Sequence, residues 1–409
     1  MPCDFQFFVG IDWGSEKHRV CLLDPAGGLI EQRWFLHSGQ SLAELADWLR
    51  RISADTPASI AVAIEVPRGT IVETLLEAGF AVFAVNPKQL DRFRDRYSPA
   101  GAKDDTRDAR VLADSLRTDR PCFLPLRIDA PELVRLRELS RLDDQLGEQF
   151  HRAANQLRQL WHRYFPQLLE LCPAADEPWL WALFELAPAP TAAARLTVRK
   201  IATLLARHRI RRFEAAQVRA LLRTPPLHLA PGAAEAIQEH ALMMMPHLRL
   251  LHQQRTDLAR RIGAVLQTLA TPDDPQTNKH RDAAILLSLP GLGSKIAATM
   301  LCEAAQAIAD RDYHALRAYA GAAPITRQSG KRKIVLMRRA INPRLRKALY
   351  HWSRVSVACD QASKKTYADM RARGHSHGRA LRGMADRWLQ VLCAMLRYGT
   401  LYDPLRRPA

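Results

Sequence analysis

The chain has 409 residues, of which 47% are hydrophobic and 25% are charged, as in folded soluble proteins of two or three domains. No apolar run reaches the roughly 18–20 residues of a membrane span, and the N-terminus lacks the basic segment of a signal peptide, so we expect a cytoplasmic protein with no membrane partner. Its seven cysteines include no C-x-x-C pair, which argues against a zinc site and a disulfide framework.

Positive charge is concentrated at one end of the chain. The net charge is +18, and residues 311–409 carry 22 Lys and Arg against 5 Asp and Glu, which leaves +1 for residues 1–310. Because the excess belongs to one segment, we expect a polyanion partner, bound less tightly as salt rises. A general aid to solubility is the alternative explanation.

Residues 1–125 alternate between strand and helix patterns. The apolar runs FQFFVGI, RVCLLD and LIEQRWFL predict three consecutive strands. We then expect a helix in SLAELADWLRR, with Ser41 as N-cap and Glu44 completing a capping box. The strand ASIAVAIEV, the helix TIVETLLEAG closed by Gly79, the strand AVFAVNP and two further helices follow. This order of strands and helices predicts an α/β domain with a mixed sheet. It is the order of elements in the ribonuclease H-like fold.

Residues 126–275 are predicted to form a coiled-coil helical arm. Apolar residues three or four apart indicate one long helix over residues 131–170 and a second over residues 246–269. The two helices pair with each other as an antiparallel hairpin or pair across a dimer, and the spacing fits both. The proline-punctuated residues 172–235 are interpreted as a helical insertion on this arm.

Residues 276–409 are predicted to form a second, all-α domain. DAAILLSLPGLGSKIAATMLCEAA indicates a helix, a turn and a helix, and APITRQSGKRKIVLM indicates a loop. A long helix then begins with Asn342 as its cap and Pro343 in its first position, and HGRALRGMADRWLQVLCAMLRYG indicates the last helix. On the basic helix, Tyr350 and Trp352 could stack on bases or pack in the core.

Four acidic residues are candidate metal ligands. Asp12 and Glu65 lie in or at the edge of apolar strands, where an unpaired charge is costly. Asp105 and Asp108 lie three apart where a helix begins. Two carboxylates about 4 Å apart repel by about 4 kcal/mol at an effective dielectric near 20, so a shared pocket calls for cations. We expect the four acids to bind about two Mg²⁺ ions, and we expect Mn²⁺ to be able to replace Mg²⁺. Ordinary surface acids are the alternative.

Two short motifs of the last domain suggest contacts to nucleic acid. In LPGLGSK, a tight turn before a helix N-terminus resembles a helix-hairpin-helix loop that grips phosphate, although a plain turn between helices also fits. In RQSGKRK, Ser329 has cations and a glycine around it, as a nucleophile attacking a phosphate would need, although such serines more often only touch the backbone. The predicted nucleic-acid contacts are Gly291, Gly293, Lys295, Arg327, Lys331, Arg332, Lys333, Arg338, Arg339, Arg344, Arg346 and Lys347.

Several ordered motifs together resemble one known family. GIDWGSEKHRV, AIEVPRG, VNPKQ, AKDDTRDARVLA, LPGLGSKIAATML, LRAYAGAAPITRQSG, NPRLRKALY, RARGHSHGRAL and GTLYDP are similar, in that order, to the bacterial insertion-sequence transposases of family one hundred and ten, also called DEDD transposases. The resemblance extends from about residue 8 to residue 403. It departs at Asp104, where family members often carry a small hydroxyl residue before the third acid.

The resemblance implies a RuvC-type resolvase domain, a coiled-coil arm for homo-oligomerisation as a dimer or tetramer, and a serine-bearing C-terminal domain. It assigns the four metal-binding acids to Asp12, Glu65, Asp105 and Asp108, and the nucleophile to Ser329. It further implies a nucleoid-associated recombinase that acts on double-stranded DNA under the guidance of a structured RNA encoded by the element. In that mechanism, metal ions held by the acids activate the serine and polarise the scissile phosphate.

Two other functions remain compatible with the residues alone. A metal-dependent junction endonuclease would use water as the nucleophile and leave Ser329 with a structural role. A non-catalytic nucleic-acid-binding protein would bind without cutting, and would keep binding when the acids are replaced.

Overall fold

A computed structural model describes residues 5–97, 104–128, 130–230, 232–271, 281–330 and 332–406. The chain divides into two compact units, which meet at Ala130 and Pro131. The predicted arm, residues 126–275, and the predicted C-terminal domain, residues 276–409, fall largely within the second unit. None of the helices in these ranges combines the length and the apolar character that crossing a lipid bilayer requires.

The first unit is an α/β domain, as the sequence predicts. Its strands are β1 (Phe7–Asp12), β2 (Lys17–Leu23), β3 (Leu29–Leu36), β4 (Ile60–Ile64), β5 (Ala81–Ala84) and β6 (Leu124–Pro125). Its α-helices are α1 (Gly39–Ile52), α2 (Thr70–Glu77), α3 (Pro87–Tyr97) and α4 (Asp105–Asp119). The two-residue β6 is too short to show an alternating pattern, so the sequence gives no sign of it.

One mixed sheet organises this unit. The strand order is β3-β2-β1-β4-β5-β6, with β1, β4 and β5 parallel and the pairings of β1 with β2, β2 with β3 and β5 with β6 antiparallel. One face of the sheet packs against α1 and α2, and the other face packs against α3 and α4. Both faces are therefore covered, and this explains why the central strands are apolar on both sides.

The start of α1 corrects one sequence prediction. Ser38, not Ser41, is the N-cap, because the Ser38 side chain accepts a hydrogen bond from the backbone N–H of Ser41. The Ser41 hydroxyl instead accepts from the backbone N–H of Leu36, at 2.9 Å. The helix thus begins three residues earlier than the capping-box pattern suggests, and its first turn includes Gly39.

The second unit begins with the arm. Its helices are α5 (Pro131–Tyr164), α6 (Gln167–Leu171), α7 (Pro178–Leu186), α8 (Pro190–Ala193), α9 (Val198–Arg207), α10 (Ala215–Leu222) and α11 (Ala233–Ala270). The two long helices, α5 and α11, pack against each other within one chain, which decides between the two pairings that the spacing allows. The helices between them pack on α5 and α11 around an aromatic core that includes Trp161 of α5 and Trp179 and Trp181 of α7.

The helix α11 is longer than the sequence predicts. The apolar spacing predicts a helix that begins at about Pro246. Pro246 instead lies inside the helix, which begins at Ala233. A proline inside a helix removes one backbone hydrogen bond and usually introduces a kink, and the apolar contacts of Met245 and Leu248 with the aromatic core hold the helix together across it.

The rest of the second unit is helical apart from one hairpin. Its elements are α12 (Asp282–Ser288), α13 (Ser294–Glu303), α14 (Ala305–Ala309), α15 (Tyr313–Tyr319), β7 (Ile325–Ser329), β8 (Arg332–Leu336), α16 (Pro343–Cys359), α17 (Gln361–Ala372) and α18 (His377–Tyr398). Asn342 caps α16 as predicted, by accepting from the backbone N–H of Leu345. The segment predicted as a loop is an antiparallel hairpin, in which Ser329 lies opposite Arg332.

We expect Gly10→Ala to destabilise the first unit by about 1–3 kcal/mol or more, the range of overpacked cores. A Cβ atom at this position would lie 2.0 Å from the carbonyl oxygen of Ala109 and 2.5 Å from the backbone nitrogen of Ala113. Urea unfolding of the two proteins measures the loss. The matched control is Gly39→Ala, where a Cβ atom meets nothing within 4 Å. Equal stability of the two variants would contradict the close packing of α4 on β1.

Candidate active site

Two of the predicted acids lie side by side at one edge of the central sheet. Ile11 of β1 pairs with Ile64 of β4 in parallel register, and Asp12 and Glu65 are the next residue of each chain segment. The carboxyl ends of parallel strands meet at the same edge of a sheet, where α/β proteins commonly place their sites. Both acids are half-buried.

The alternation of side chains along β1 turns Asp12 toward α3 and α4. Phe8 of β1, and Ala61 and Ala63 of β4, belong to the core on the side of α3 and α4. Residues two positions apart along a strand share a face, so Asp12 continues the face of Phe8. Glu65 follows the end of β4, and its charge acts on Arg94 of α3. The helix α4, which carries the other two acids, packs against this face.

A glycine sets how closely α4 approaches. The backbone of Ala109 and Ala113 passes so near Gly10 of β1 that a Cβ atom there would overlap it. Asp108 directly precedes Ala109 and lies fully buried, whereas Asp105 is exposed in the first turn of the helix. The side chain of Asp104 caps α4 by accepting from the backbone N–H of Thr106. Asp104, where the sequence departs from the family pattern, therefore has a local structural role.

Asp108 is paired with an arginine that the sequence analysis did not single out. The Nε and Nη2 atoms of Arg94 on α3 donate to the two carboxylate oxygens of Asp108 at 2.7 and 2.8 Å. Burial acts against the charged form of Arg94, but the hydrogen bonds to Asp108 and the charges of Asp108, Asp91 and Glu65 raise its pKa. A buried carboxylate requires a counter-charge. In the sequence, the one signal for Arg94 is therefore the expectation that a buried acid such as Asp108 has a basic partner.

One member of a histidine pair lies on the strand next to β1, and this residue, His18, is on the opposite face of the sheet from Asp12. Arg19 of β2 pairs with Asp12, and the preceding residue, His18, is fully buried. Its Nε2 atom lies 3.0 Å from Nδ1 of His37. Burial, together with the charge of His37, lowers the pKa of His18 to about 4. His18 is therefore neutral near pH 7.

The four acids have the right chemistry for Mg²⁺, which takes oxygen ligands and keeps several waters. Among the described residues, the only group of three or more potential ligands mutually within 4.8 Å is a different one, Cys172, Asp176 and Glu177. That group is unsuited to a metal, because burial raises the pKa of the Cys172 thiol to about 11 and Arg212 binds the Glu177 carboxylate. The four predicted acids do not form such a group among the described residues, where Arg94 is the counter-charge of Asp108. Their joint role as metal ligands stays a prediction.

The glycine loop between α12 and α13 is placed by packing. Gly291 has a φ of +74°, and a Cβ atom there would lie 2.9 Å from the backbone nitrogen of Ser356 on α16. Gly293 precedes the first turn of α13 and faces open space. The Nζ atom of Lys295 donates to Asp143 of α5 at 2.6 Å, so this predicted phosphate contact has a partner within the protein.

Arg344 is also engaged within the protein. Its Nε atom donates to Asp144 and its Nη2 atom to Ser140, both on α5, at 2.6 and 2.8 Å. Its Nη1 atom donates to Glu303 at the end of α13. This network ties α16 to the arm and to α13. The guanidinium of Arg344 is therefore bound by side chains of the protein itself, and in this structure it holds three helices together.

The β7–β8 hairpin presents Ser329 and several cations to solvent. Ser329 ends β7, and Gly330 at the tip has a left-handed φ of +54°. Arg327, Arg332 and Lys333 are exposed on the two strands, and Lys331 lies outside the described residues. Of the other predicted contacts, the exposed ones are Arg339, Arg346 and Lys347, while Arg338 is half-buried.

Comparison with known proteins gives the family. A model described as a transposase of the DEDD IS110 type matches residues 9–166, and a model of the transposase IS116/IS110/IS902 family matches residues 283–368. A mini-circle putative transposase for IS117 from Streptomyces coelicolor is 30% identical over 410 residues, covering 98% of this chain and 96% of that protein. The chain belongs to the IS110 family of transposases. The resemblance seen in the motifs is thereby confirmed.

Other relatives agree with the IS110 assignment. A putative transposase, y4uE, from Sinorhizobium fredii is 49% identical over 232 residues, which cover 56% of this chain and 62% of that protein. An insertion element IS110 uncharacterized 43.6 kDa protein from Streptomyces coelicolor is 28% identical over 428 residues, covering 99% of this chain and 97% of that protein. The two family models together include the four acids and the serine-bearing hairpin.

Arg94→Met should destabilise α4 by about 3–5 kcal/mol without divalent cations, because it leaves the buried Asp108 carboxylate unpaired. Mg²⁺ should restore part of this loss, since a cation at the acids replaces the missing counter-charge. Hydrogen exchange of the α4 amides, with EDTA and with Mg²⁺, measures both effects. The control is Arg96→Met, which removes only a surface ion pair with Asp119. An equal loss in the two variants, or no response to Mg²⁺, would contradict a cation site beside Asp108.

The buried His18 should make β2 less stable as the pH falls. The folded-state pKa of His18, about 4, lies below the ordinary value of 6.5. The stability that the neutral His18 gives to β2 is therefore complete above pH 6.5 and is lost as the pH falls from 6.5 to 4. We expect the opening free energy of β2 to fall by about 2 kcal/mol from pH 7.5 to pH 5.

Hydrogen exchange, corrected for its intrinsic pH dependence, tests this expectation in β2. His18→Gln should make the β2 profile flat, and His240→Gln, at an exposed position of α11, should leave the parent profile unchanged. A pH dependence that survives in His18→Gln would assign it to another group.

Proposed function

We propose that this IS110-family chain is a DNA transposase that cuts and rejoins DNA through attack of Ser329 on a DNA phosphate. The observation that carries the proposal is the position of Ser329, exposed at the end of β7 beside the left-handed Gly330 and opposite Arg332. A nucleophile that attacks a duplex must be exposed beyond the surface of its own domain, because the duplex is bulky. The end of a hairpin provides that exposure.

The step exchanges one phosphate ester for another. The Oγ atom of Ser329 forms a bond to phosphorus, and the bond from phosphorus to the oxygen of the leaving strand breaks. The serine proton leaves to solvent, and the leaving oxygen takes up a proton. Because the number of ester bonds is unchanged, the reverse attack by a strand hydroxyl rejoins DNA without an external energy source. Arg327 and Arg332 supply positive charge where the phosphate gains negative charge.

The acids at the sheet edge are proposed to hold the metal. Asp12 and Glu65 offer carboxylates at neighbouring strand ends, and Asp105 and Asp108 offer two more from α4. Mg²⁺, as two ions, would stabilise charge on the phosphate oxygens and lower the pKa of a bound hydroxyl. The strand order β3-β2-β1-β4-β5, with three antiparallel strands followed by parallel ones, supports a ribonuclease H-like, RuvC-type arrangement.

The cationic hairpin supports double-stranded DNA as the partner. A two-stranded ribbon fits the major groove, and the exposed cations of β7 and β8 can meet phosphates on either side of it. We also propose, from the family resemblance, that an element-encoded RNA reads the DNA sequence, and that the protein works as a homo-oligomer at the nucleoid. The facing sides of α5 and α11 are used within one chain, so another surface would join the copies.

The experiment is the trapping of a protein–DNA adduct. Purified protein, Mg²⁺, labelled element-end DNA and RNA transcribed from the element's flanks would be combined and run on denaturing gels. We expect an adduct that Ser329→Ala abolishes and Asp12→Asn reduces at least about 100-fold, the scale of a lost catalytic group. Ser376→Ala, an exposed serine of the same unit, and Asp47→Asn, an exposed acid on α1, are the matched controls.

One rival predicts a different gel. The four acids belong to the first compact unit alone, which favours a metal-dependent endonuclease that uses water as a second candidate. It predicts cleavage without an adduct, unchanged in Ser329→Ala and lost in Asp12→Asn. That pattern would overturn serine attack and leave the acids in their proposed role.

A further inference from the structure

We propose that a pocket at the base of the β7–β8 hairpin takes an unstacked nucleobase of the DNA. The pocket has a volume of about 400 Å³ and lies between the end of β8, the turn after α15, and helices α16 and α18. It is distinct from the acids and from Ser329. The proposal rests on the proposed action on DNA, and it adds a second point at which the protein holds a strand. Its lining includes Gly321, Met337, Tyr350, Leu381, Arg382 and Ala385.

The floor of the pocket is apolar. Leu381 and Ala385 of α18, with Leu349 of α16, are buried and form its inner wall. Two large side chains remain exposed at the opening, Met337 at 50% and Tyr350 at 43%. A flat aromatic group can therefore enter between an aromatic ring and a thioether, both of which make favourable contacts with aromatic faces.

The rim of the pocket is positively charged. Arg346 and Lys347 of α16 and Arg382 of α18 border it, and no acidic side chain does within the part of the chain that the structure describes. The Arg382 Nη1 atom lies 3.9 Å from Sδ of Met337, and the stem of Arg346 lies beside Gly321, where a Cβ atom would be 3.7 Å from its Cδ atom. An apolar interior with a cationic edge matches a nucleotide, which has an apolar, flat base and an anionic phosphate.

A second cavity of this unit shows the contrast. It lies between α5, α11, α13 and α16 and has a volume of about 270 Å³. Its walls carry Asp143, Asp144 and Glu148 as well as cations. Those carboxylates would repel a phosphate, and two of them already bind Lys295 and Arg344. Charge complementarity therefore favours the hairpin pocket for a nucleotide.

The position of the pocket also favours a DNA base over a protein side chain. Met337 directly follows β8, five residues after Arg332, which lies opposite Ser329. The pocket therefore lies about 17 Å along the hairpin from Ser329, at about 3.3 Å for each strand residue. A strand whose phosphate meets Ser329 would pass the pocket a few nucleotides away. Withdrawing a base from the duplex costs a few kcal/mol, and stacking on an aromatic side chain recovers energy of similar size.

The test compares two DNA probes with protein carrying Ser329→Ala, so that no chemistry is needed. One probe is a fully paired duplex, and the other has the same sequence with a short unpaired thymine bubble. We expect the bubble duplex to bind about tenfold more tightly, because its bases are already unpaired. Tyr350→Ala should remove this preference, and Tyr350→Phe, which keeps the ring, should retain it.

Two further variants separate stacking from general damage. Gly378→Leu would fill the pocket from α18, where a Cβ atom meets only Arg382, at 3.6 Å, and it should also remove the preference for the bubble. Tyr398→Ala removes a tyrosine that is 76% exposed on the same helix and should change nothing. Binding to the paired duplex should stay within about twofold in every variant.

A photocrosslink identifies the contact directly. With 5-iodouracil in place of thymine in the bubble, irradiation should join the DNA to Tyr350, as mass spectrometry of the peptide would show. Crosslinks that map elsewhere, or a bubble preference that survives both Tyr350→Ala and Gly378→Leu, would overturn the proposal. So would a crosslink formed only with an RNA probe, or a change in oligomeric mass as the only effect of filling the pocket. If the parent protein forms the Ser329 adduct but Ser329→Ala shows no preference for the bubble duplex, the pocket proposal is refuted and the proposed function stands.

Discussion

The close approach of α4 to β1 is the constraint on which the candidate active site depends. A single hydrogen in place of a side chain at Gly10 lets the helix backbone lie against the strand. This contact brings the first turns of α4 toward the strand ends that carry Asp12 and Glu65. It also buries Asp108 completely, which makes a counter-charge compulsory. Arg94 provides that charge, so one packing contact determines both the position of the acids and their electrostatic balance.

The basic residues of the second unit divide into two groups with different roles. Lys295 and Arg344 neutralise acids of the arm and join helices that are distant in the sequence. The cations of the hairpin and the outer side of α16 are exposed instead. Arg344 lies within residues 311–409, so the charge excess of that segment is only partly available to a polyanion. Counting charges predicts the partner class, but the structure is needed to assign individual contacts.

Periodic patterns predicted the elements that are buried on one or both faces. The central strands and the two long helices follow from apolar spacing, and the parallel register then brings Asp12 and Glu65 together. The sequence predicts a loop in place of the hairpin because the two strands are exposed on nearly every residue and show no alternation. The pairing of α5 with α11, the interior position of Pro246 and the Arg94–Asp108 pair depend on contacts between distant segments, and local spacing does not encode them.

The hairpin that carries Ser329 has two strands and no third strand beside it among the described residues. Two-stranded hairpins are only marginally stable in water by themselves, and this one buries little of its own surface. Docking into a groove would supply the contacts that its strands lack. In the proposed mechanism, Ser329 would then be held rigidly only while a duplex surrounds it. This would couple the reactivity of its hydroxyl to the binding of the DNA.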